Sequence, residues 1–406
     1  MYISINKEIN KILYIVAFFW IVRPEYMTPI GIFNAIWNQD WVLYLLIAFF
    51  IYKYRELKNI GVWLLLLIFV WLGISTIIND SSIIAYKQAF QNVIVGILLS
   101  YYGIKYDRKA FLKSAIFVLG MYIAINAISM IMFPGGLTYE QAFFSNGVHE
   151  KSFFFGKNTA IKVMVPCLLF VSLYENSYEN GIRWKSKILS LVILGESAFA
   201  QSGTSTIVAL ILVIGTWVSS DKIPETINIL SAWALNILFF FGIIVFKMQY
   251  LFESFLVGVL NKDLTFSGRT PLWDSGIFYI ISKPIIGYGI EDKVIAASKI
   301  GEGVRNDTMH NFIIDYLYQG GIVVIIIWTV VIIFLYTILR KYKNQEIRKI
   351  FNYCIFSMMI VWMTEPFSRG RILFSAMMFV TAMVYNFSDN DAEFRNYKVD
   401  NERQIH

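Results

Sequence analysis

Cysteine, histidine and charged residues are all scarce in this chain of 406 residues, which has two cysteines, three histidines and 16% charged residues. Cys167 and Cys354 lie far apart in apolar runs, so the sequence predicts neither a disulfide framework nor a metal-binding spacing. Because 57% of the residues are hydrophobic, an ordinary soluble domain is excluded and a polytopic membrane protein is indicated. No internal repeat and no low-complexity segment is visible in the sequence.

The first apolar run lacks the features of a cleavable signal peptide. Residues 12–22 are apolar and follow two lysines, but Arg23, Pro24 and Glu25 stand where a small-residue cleavage site would be expected. We therefore expect this run to be a membrane span.

Twelve apolar runs predict membrane-spanning helices, because a span needs roughly 20 apolar residues and fewer where neighbouring helices shield its ends. The predicted spans are residues 9–23, 38–52, 61–78, 83–103, 112–133, 157–174, 186–200, 204–219, 227–247, 309–339, 350–365 and 370–387. The predicted fold is therefore an all-α polytopic membrane protein with about 12 transmembrane helices. We expect spans 1–9 in residues 1–247, a large extracytoplasmic loop with short helices in residues 248–308, spans 10–12 in residues 309–388, and a cytoplasmic tail in residues 389–406.

The net charge of +7 is distributed as it is in an oriented membrane protein and does not indicate a nucleic-acid-binding surface. Clusters of lysine and arginine follow the even-numbered spans, whereas the short loops after odd-numbered spans hold few basic residues. The positive-inside rule therefore predicts that both termini are cytoplasmic. It also predicts that two larger loops, residues 133–155 and residues 248–309, lie outside.

The segment "SGRTPLWDSG" in the second outer loop places a glycine and an arginine directly before a helix start. Thr270 is a suitable N-cap and Pro271 a suitable first helical residue, so we expect a helix over residues 271–282. Its free backbone N–H groups, its positive dipole end and the Arg269 guanidinium predict a phosphate site at the depth of lipid headgroups. The alternative is that Arg269 pairs with anionic lipid or with a nearby acid such as Asp263.

A second polar segment, "MHNFIIDYLYQGG", opens the predicted tenth span. His310 lies at its outer mouth, and Asn311, Asp315 and Gln319 follow at intervals of four residues, which places them on one helix face. A charge inside a membrane costs roughly 2.5–3.5 kcal/mol, so we expect this polar stripe to face a cavity or another polar helix. The alternative is that the histidine has only a structural role at the membrane–water interface.

Further polar residues at the predicted outer level indicate a polyanionic substrate, because several of them are cations on one side of the membrane. The alternative for each residue alone is a structural contact between helices. They are Lys87 in span four, Lys157 and Asn158 at the start of span six, Glu196 in span seven, Arg305 in the long loop, and Glu365, Arg369 and Arg371 in the hairpin before span twelve.

These features resemble those of the O-antigen ligase and O-antigen polymerase (Wzy) superfamily. The resemblance rests on the twelve spans, on a long outer loop with "SGR", a tryptophan, a proline and "GYG" before span ten, and on "HN" followed by "GG". "GKNTA" at the start of span six and "SGTST" at the start of span eight resemble family signatures less specifically. The chain departs from the family where "SGTST" lacks an arginine and where Phe312 follows His310 and Asn311, which leaves the choice between polymerase and ligase open.

The resemblance implies an inverting glycosyltransferase of the bacterial cytoplasmic (inner) membrane that needs no metal and no cofactor and whose active site lies on the outer face. Its donor would be an oligosaccharide on undecaprenyl diphosphate, and an acceptor hydroxyl group would attack the anomeric carbon. A polymerase of surface polysaccharide (O-antigen, capsule or exopolysaccharide) is favoured. An O-antigen ligase with a non-repeat acceptor and a lipid-linked oligosaccharide transporter are the alternatives. The expected partners are the lipid bilayer and a chain-length regulator and flippase of the same pathway, and no nucleic acid is expected.

The resemblance also implies roles for the polar residues. Arg269, with the helix N-terminus and Arg305 or Arg369, would hold the diphosphate. His310 would take the proton of the attacking hydroxyl group or, as an imidazolium, hydrogen-bond the diphosphate. The predicted catalytic residues are thus His310 and Arg269. The predicted substrate-binding residues are Arg305, Lys157, Asn158, Lys87, Asn311, Asp315, Arg369, Arg371 and Glu196.

Overall fold

Helices make up most of the chain in the computed structural model, which describes residues 2–37, 40–54, 57–141, 149–179, 183–218, 222, 224–252, 266, 268–300, 308–368 and 370–387. Fifteen α-helices lie in these described residues: α1 (Tyr2–Ile21), α2 (Gly31–Trp37), α3 (Asp40–Tyr54), α4 (Ile60–Ile78), α5 (Ile83–Tyr106), α6 (Arg108–Met132), α7 (Ala160–Tyr178), α8 (Trp184–Phe199), α9 (Gly203–Trp217), α10 (Ile229–Phe239), α11 (Arg269–Ser282), α12 (Lys293–Ile300), α13 (Phe312–Arg340), α14 (Gln345–Val361) and α15 (Leu373–Val384). Several begin where an asparagine or serine oxygen accepts first-turn N–H groups, as Asn59, Ser82 and Asn344 do for α4, α5 and α14.

Twelve of these helices, α1, α3–α10 and α13–α15, coincide in order with the twelve predicted spans. Five of them, α4–α7 and α13, are long and apolar enough to cross a membrane, and α1, α9, α10 and α15 contain shorter apolar stretches. The predominantly helical architecture of a membrane protein is therefore confirmed. The number of helices that cross the bilayer, the boundaries of the outer loops and the cytoplasmic position of residues 389–406, which lie outside the described residues, stay predictions.

A two-stranded antiparallel hairpin interrupts the helices between α6 and α7. Its strands are β1 (Thr138–Gln141) and β2 (His149–Ser152), with Thr138 opposite Ser152. This short hairpin was not predicted, and it does not change the helical class of the fold. The strand sequences TYEQ and HEKS contain almost no apolar residue, so they lack the alternation of apolar and polar residues that predicts a strand.

α7 is the most enclosed of the five long apolar helices. In its apolar 18-residue stretch 89% is buried inside the protein, compared with 33% in that of α13. It packs against α6, α8, α14 and α15. Helices at the periphery instead turn large apolar side chains outward, such as Trp63, Val70 and Ile77 of α4, as expected for a surface in contact with lipid. Polar groups on α7 therefore face protein and not lipid.

α13 is broken at Gly321, whose φ of 65° and ψ of −162° are not helical. The loop after α11 binds backbone groups that the break releases: Gly289 N–H donates to the Gln319 carbonyl (2.9 Å), and Ile322 N–H donates to the Pro284 carbonyl (2.8 Å). Irregular backbone within a membrane helix is stable only where such partners exist. The break therefore joins the first half of α13 to the α11 region.

α11 begins at Arg269 and not at Pro271, because Gly268 occupies the N-cap position with a φ of 79°. Thr270, the predicted N-cap, lies inside the first turn. Proline fits any first-turn position, since the N–H groups there have no partner within the helix. The helix and its end at Ser282 are therefore predicted correctly, whereas its first residue is not.

Candidate active site

A cavity of about 530 Å³ lies where the start of α7, the turn after α1, the start of α13 and the α14–α15 hairpin meet. Its volume is in the range of sites that bind a small organic ligand. The polar residues that line it are Arg23, Glu25, Gln88, Asn92, Lys151, Ser152, Lys157, Asn158, Thr159, Lys162, His310, Glu365 and Arg371. The cavity thus brings together segments that are far apart in the sequence.

Positive charge dominates the wall of this cavity. Among the described lining residues, five are lysine or arginine and two are glutamate. A concave wall with charge of mainly one sign concentrates ions of the opposite sign. The cavity is therefore suited to a polyanionic ligand.

The position of His310 is fixed by its neighbours on both sides. Met309 N–H donates to Asp315 Oδ1 (2.8 Å), and the Met309 carbonyl accepts from Trp273 Nε1 of α11 (2.9 Å). On the other side Asn311 caps α13 by accepting from Ile314 N–H. His310 itself has a φ of 51°, an uncommon conformation that these contacts maintain.

The surroundings of His310 favour the neutral form of its ring. Burial lowers its pKa well below the ordinary value near 6.5, and the charges of Arg269, Lys162 and Arg371 lower it further. Its Nδ1 atom is buried and has no hydrogen-bond partner in the described part of the chain. An imidazole nitrogen without a hydrogen-bond partner can accept a proton or a hydrogen bond from a ligand in the cavity.

Arg269 lies beside the cavity and is held there by an ion pair. Its Nη2 atom lies 2.7 Å from Glu365 Oε1, and both side chains are largely buried. Glu365 lines the cavity, whereas Arg269 does not line it directly. The guanidinium has five N–H donors, so this single contact leaves others available for a phosphate group.

The loop before α7 is held in place by polar side chains behind it. Phe155 N–H donates to Asn126 Oδ1 (2.9 Å), and Asn126 Nδ2 donates to Glu196 Oε2 (2.5 Å). The loop carries Lys157 and Asn158 into the cavity wall, where Asn158 Oδ1 accepts from Ser202 Oγ (2.7 Å). Glu196, predicted to bind substrate, thus lies behind the loop and does not line the cavity.

The predicted polar stripe of α13 does not line the cavity either. Asn311 is the N-cap and also donates to the Met363 carbonyl (2.9 Å), while Asp315 binds Met309 N–H. Gln319 is buried, and its carbonyl lies at the break of the helix. All three residues are buried against neighbouring protein, and Asn311 and Asp315 hold the backbone on either side of His310.

Lys87, another predicted substrate-binding residue, does not line the cavity. The ammonium of Lys87 lies 5.3 Å from the ring centroid of Tyr44 in α3, and α5 lines the cavity with Gln88 and Asn92 instead. Arg305 and Arg369 lie outside the described residues.

Five charged lining residues were not among the predicted site residues: Arg23, Glu25, Lys151, Lys162 and Glu365. Arg23 and Lys151 are basic residues of predicted outer loops, which is a weak signal on its own. Lys162 has a clearer signal, because it is a single lysine in an otherwise apolar run. Within the described part of the chain, no three His, Cys, Asp or Glu residues are grouped so that they could hold a metal ion.

In a comparison with known protein families, residues 188–329 match the family model described as O-antigen ligase, Wzy_C. The match confirms the resemblance to the O-antigen ligase and polymerase superfamily. It extends from α8 into α13 and includes Arg269 and His310, but not Lys157 or Arg371. No curated protein and no solved structure matches the chain.

Members of this family are glycosyltransferase-like enzymes of polysaccharide assembly that act on lipid-linked oligosaccharides in membranes. The apolar helices and the family match together indicate a bacterial membrane protein. The match further indicates an activity of the O-antigen ligase or polymerase type.

Proposed function

We propose that the protein is a polymerase of a surface polysaccharide and that the cavity beside His310 is its active site. The donor is an oligosaccharide on undecaprenyl diphosphate, and the acceptor is a hydroxyl group of another lipid-linked repeat unit. The observation that carries the proposal is the composition of the cavity wall, which combines five lysine and arginine side chains with a buried histidine whose Nδ1 atom has no hydrogen-bond partner in the described part of the chain. A diphosphate leaving group needs the cations, and a hydroxyl nucleophile needs the base.

The reaction consists of one displacement at the anomeric carbon. The acceptor oxygen forms a bond to this carbon while the bond from the carbon to the diphosphate oxygen breaks. The proton of the acceptor hydroxyl group goes to the His310 ring, and the diphosphate keeps the electron pair of the broken bond. Attack from the face opposite the leaving group inverts the configuration.

The leaving diphosphate is stabilised by fixed positive charge. Lys157 and Arg371 line the cavity, and Arg269 is held next to it by Glu365. Cations that are already in place, in a site with little water, stabilise developing negative charge without reorganising during the reaction. We propose that these side chains do so without a metal ion.

An O-antigen ligase is the second candidate, since this is the description of the family that matches residues 188–329. Donor, leaving group and base would be the same. The difference lies in the acceptor, which in a ligase is not a repeat unit.

Deletion of the gene in the native host, followed by gel analysis of surface glycans, distinguishes the two. We expect long chains to disappear while single repeats stay on the surface, which is the result for a polymerase. Retention of long chains on the lipid carrier, with none on the final acceptor, would identify a ligase. An unchanged glycan pattern would contradict both activities. Restoration by the intact gene, but not by one with His310→Ala, would assign the activity to the cavity.

A further inference from the structure

Lys162 is a buried cation in the first turn of α7. The residue is 7% exposed and lines the cavity. Its ammonium donates to the Pro366 carbonyl at 3.0 Å and lies 4.9 Å from the ring centroid of Phe367. An ammonium has three N–H donors, so this contact leaves two of them without a protein acceptor in the described part of the chain.

The charge of Lys162 has no counter-ion in direct contact. A buried charge is costly unless it is paired or binds a ligand. Glu365 is the nearby carboxylate that acts most strongly on it, but Glu365 pairs with Arg269 instead. No carboxylate of the described residues forms an ion pair with Lys162 within 4.0 Å, and Arg371 and Arg269 add like charge around it. This arrangement favours an anion in the cavity.

We propose that Lys162 binds a phosphate oxygen of the donor diphosphate and is a direct ligand of the leaving group. The inference rests on the proposed function, because that function supplies the diphosphate. His310 lines the same cavity, so the proton acceptor and this phosphate ligand belong to one site.

The chemistry of an ammonium suits this position. When the bond between the anomeric carbon and the diphosphate oxygen breaks, the diphosphate gains negative charge. Lys162 donates a hydrogen bond to it and balances this charge without giving up its proton. The contact with Pro366 holds the ammonium in place before the donor binds.

The test is the binding of undecaprenyl diphosphate, which carries no sugar, to the purified full chain in lipid nanodiscs. We expect Lys162→Gln to bind it about ten- to a hundredfold more weakly than the unaltered chain, because a hydrogen bond to a charged group is lost. Glutamine retains an N–H donor for the Pro366 carbonyl. Lys162→Arg keeps the positive charge and should lose much less affinity.

Lys349 in α14 provides a matched control, since it is 8% exposed but does not line the cavity. It lies near the opposite end of the bundle, close to the contact in which Asn176 Nδ2 donates to Glu346 Oε2 at 2.8 Å. We expect Lys349→Gln to bind undecaprenyl diphosphate with unchanged affinity. An equal loss in both glutamine variants would show a general effect of removing a buried lysine and would overturn the inference.

A measurement on the unaltered chain covers the case in which Lys162→Gln does not fold. Reductive methylation modifies accessible lysines, and peptide mass spectrometry reports the extent at each site. We expect saturating undecaprenyl diphosphate to lower the methylation of Lys162 and to leave the methylation of the exposed Lys343 unchanged. Undiminished methylation of Lys162 would overturn the inference.

The remaining outcomes separate this inference from the proposed function. A loss of affinity that occurs only with the sugar-bearing donor would place the Lys162 contact on the glycan and overturn the inference. Normal binding by a folded Lys162→Gln variant would also overturn it and would leave the proposed function intact. Failure of the unaltered chain to bind undecaprenyl diphosphate would contradict the proposed function itself.

Discussion

The imidazole of His310 shows how surroundings change the pKa of a single residue. Burial, followed by the charges of Arg269, Lys162 and Arg371, lowers its pKa well below 6.5. The neutral form therefore persists as the pH falls through 6.5 and is lost only at a lower pH. A bound diphosphate adds negative charge next to the ring, which raises the pKa in the complex.

These shifts predict two different pH profiles. We expect kcat/KM, which reports the free enzyme, to fall on acidification only below pH 6.5, and kcat, which reports the complex, to fall at a higher pH. His310→Gln should lower turnover by roughly 10²–10⁴-fold and abolish the decrease in rate on acidification. His149→Gln, at another of the three histidines, serves as the control and should still show this decrease. A kcat/KM that already falls above pH 6.5 would contradict the lowered pKa.

The ion pair of Arg269 and Glu365 allows a test with a double variant. Arg269→Ala should remove activity and also destabilise the fold by about 3–5 kcal/mol, because it leaves a buried carboxylate without its partner. Arg269→Ala combined with Glu365→Gln should recover most of the stability. If Arg269 contacts the diphosphate, the double variant stays inactive. Thermal unfolding measures the stability of the variants, and a polymerisation assay measures their activity. Recovered activity in the double variant would show that Arg269 serves only as the counter-ion of Glu365.

Single residues of the site differ in how well the sequence predicts them. His310, Lys157, Asn158 and Arg371 stand out because they are polar residues at the ends of apolar runs, and the cavity brings them together. A single lysine in an apolar run marks Lys162 as unusual, but the sequence does not show which groups face it. Packing of α7 against the α14–α15 hairpin decides that question.

At the scale of helices, the break in α13 predicts a strong effect of one methyl group. A Cβ at Gly321 would lie 2.1 Å from the carbonyl oxygen of Ile285, and the φ of 65° is strained for alanine. We therefore expect Gly321→Ala to lower the unfolding temperature and to detach the loop after α11. Gly120→Ala in α6 is the matched control, since a Cβ there would meet no other part of the described chain within 4 Å. Equal unfolding temperatures for the two variants would contradict the tight packing at Gly321.

Helix periodicity predicts which residues share a face but not what lies opposite. Asn311 and Asp315 were expected to bind substrate, yet they hold the backbone on either side of His310. Glu196 likewise supports the loop before α7 through Asn126. The sequence shows that these positions are polar but does not predict their partners, because long-range contacts leave no local pattern in it.

At the scale of the whole molecule, the distribution of basic residues predicts the orientation in the membrane. We expect Ser282→Cys to react with an impermeant thiol reagent in intact cells and Lys343→Cys to react only after the membrane is opened. Both positions are exposed in the structure. The native Cys167 and Cys354 are buried and should add little background. Labelling of Lys343→Cys in intact cells would reverse the predicted orientation.

The helices of the bundle were predictable because each is encoded in one continuous apolar run. The cavity was not predictable as a unit, since its wall includes the turn after α1, the loop before α7 and the hairpin before α15. The two short strands were missed because four polar residues give no periodic signal. Local patterns thus predict elements, and their packing determines the site.

The order of residues around the cavity has a consequence for how the protein is made. Arg23 and Arg371 lie on the same wall, although nearly the whole of the described chain separates them. A ribosome therefore completes every other charged part of this wall, including His310, before it reaches Arg371. A nascent chain shorter than this holds only part of the cavity wall, so the proposed reaction would require translation to have passed the last hairpin.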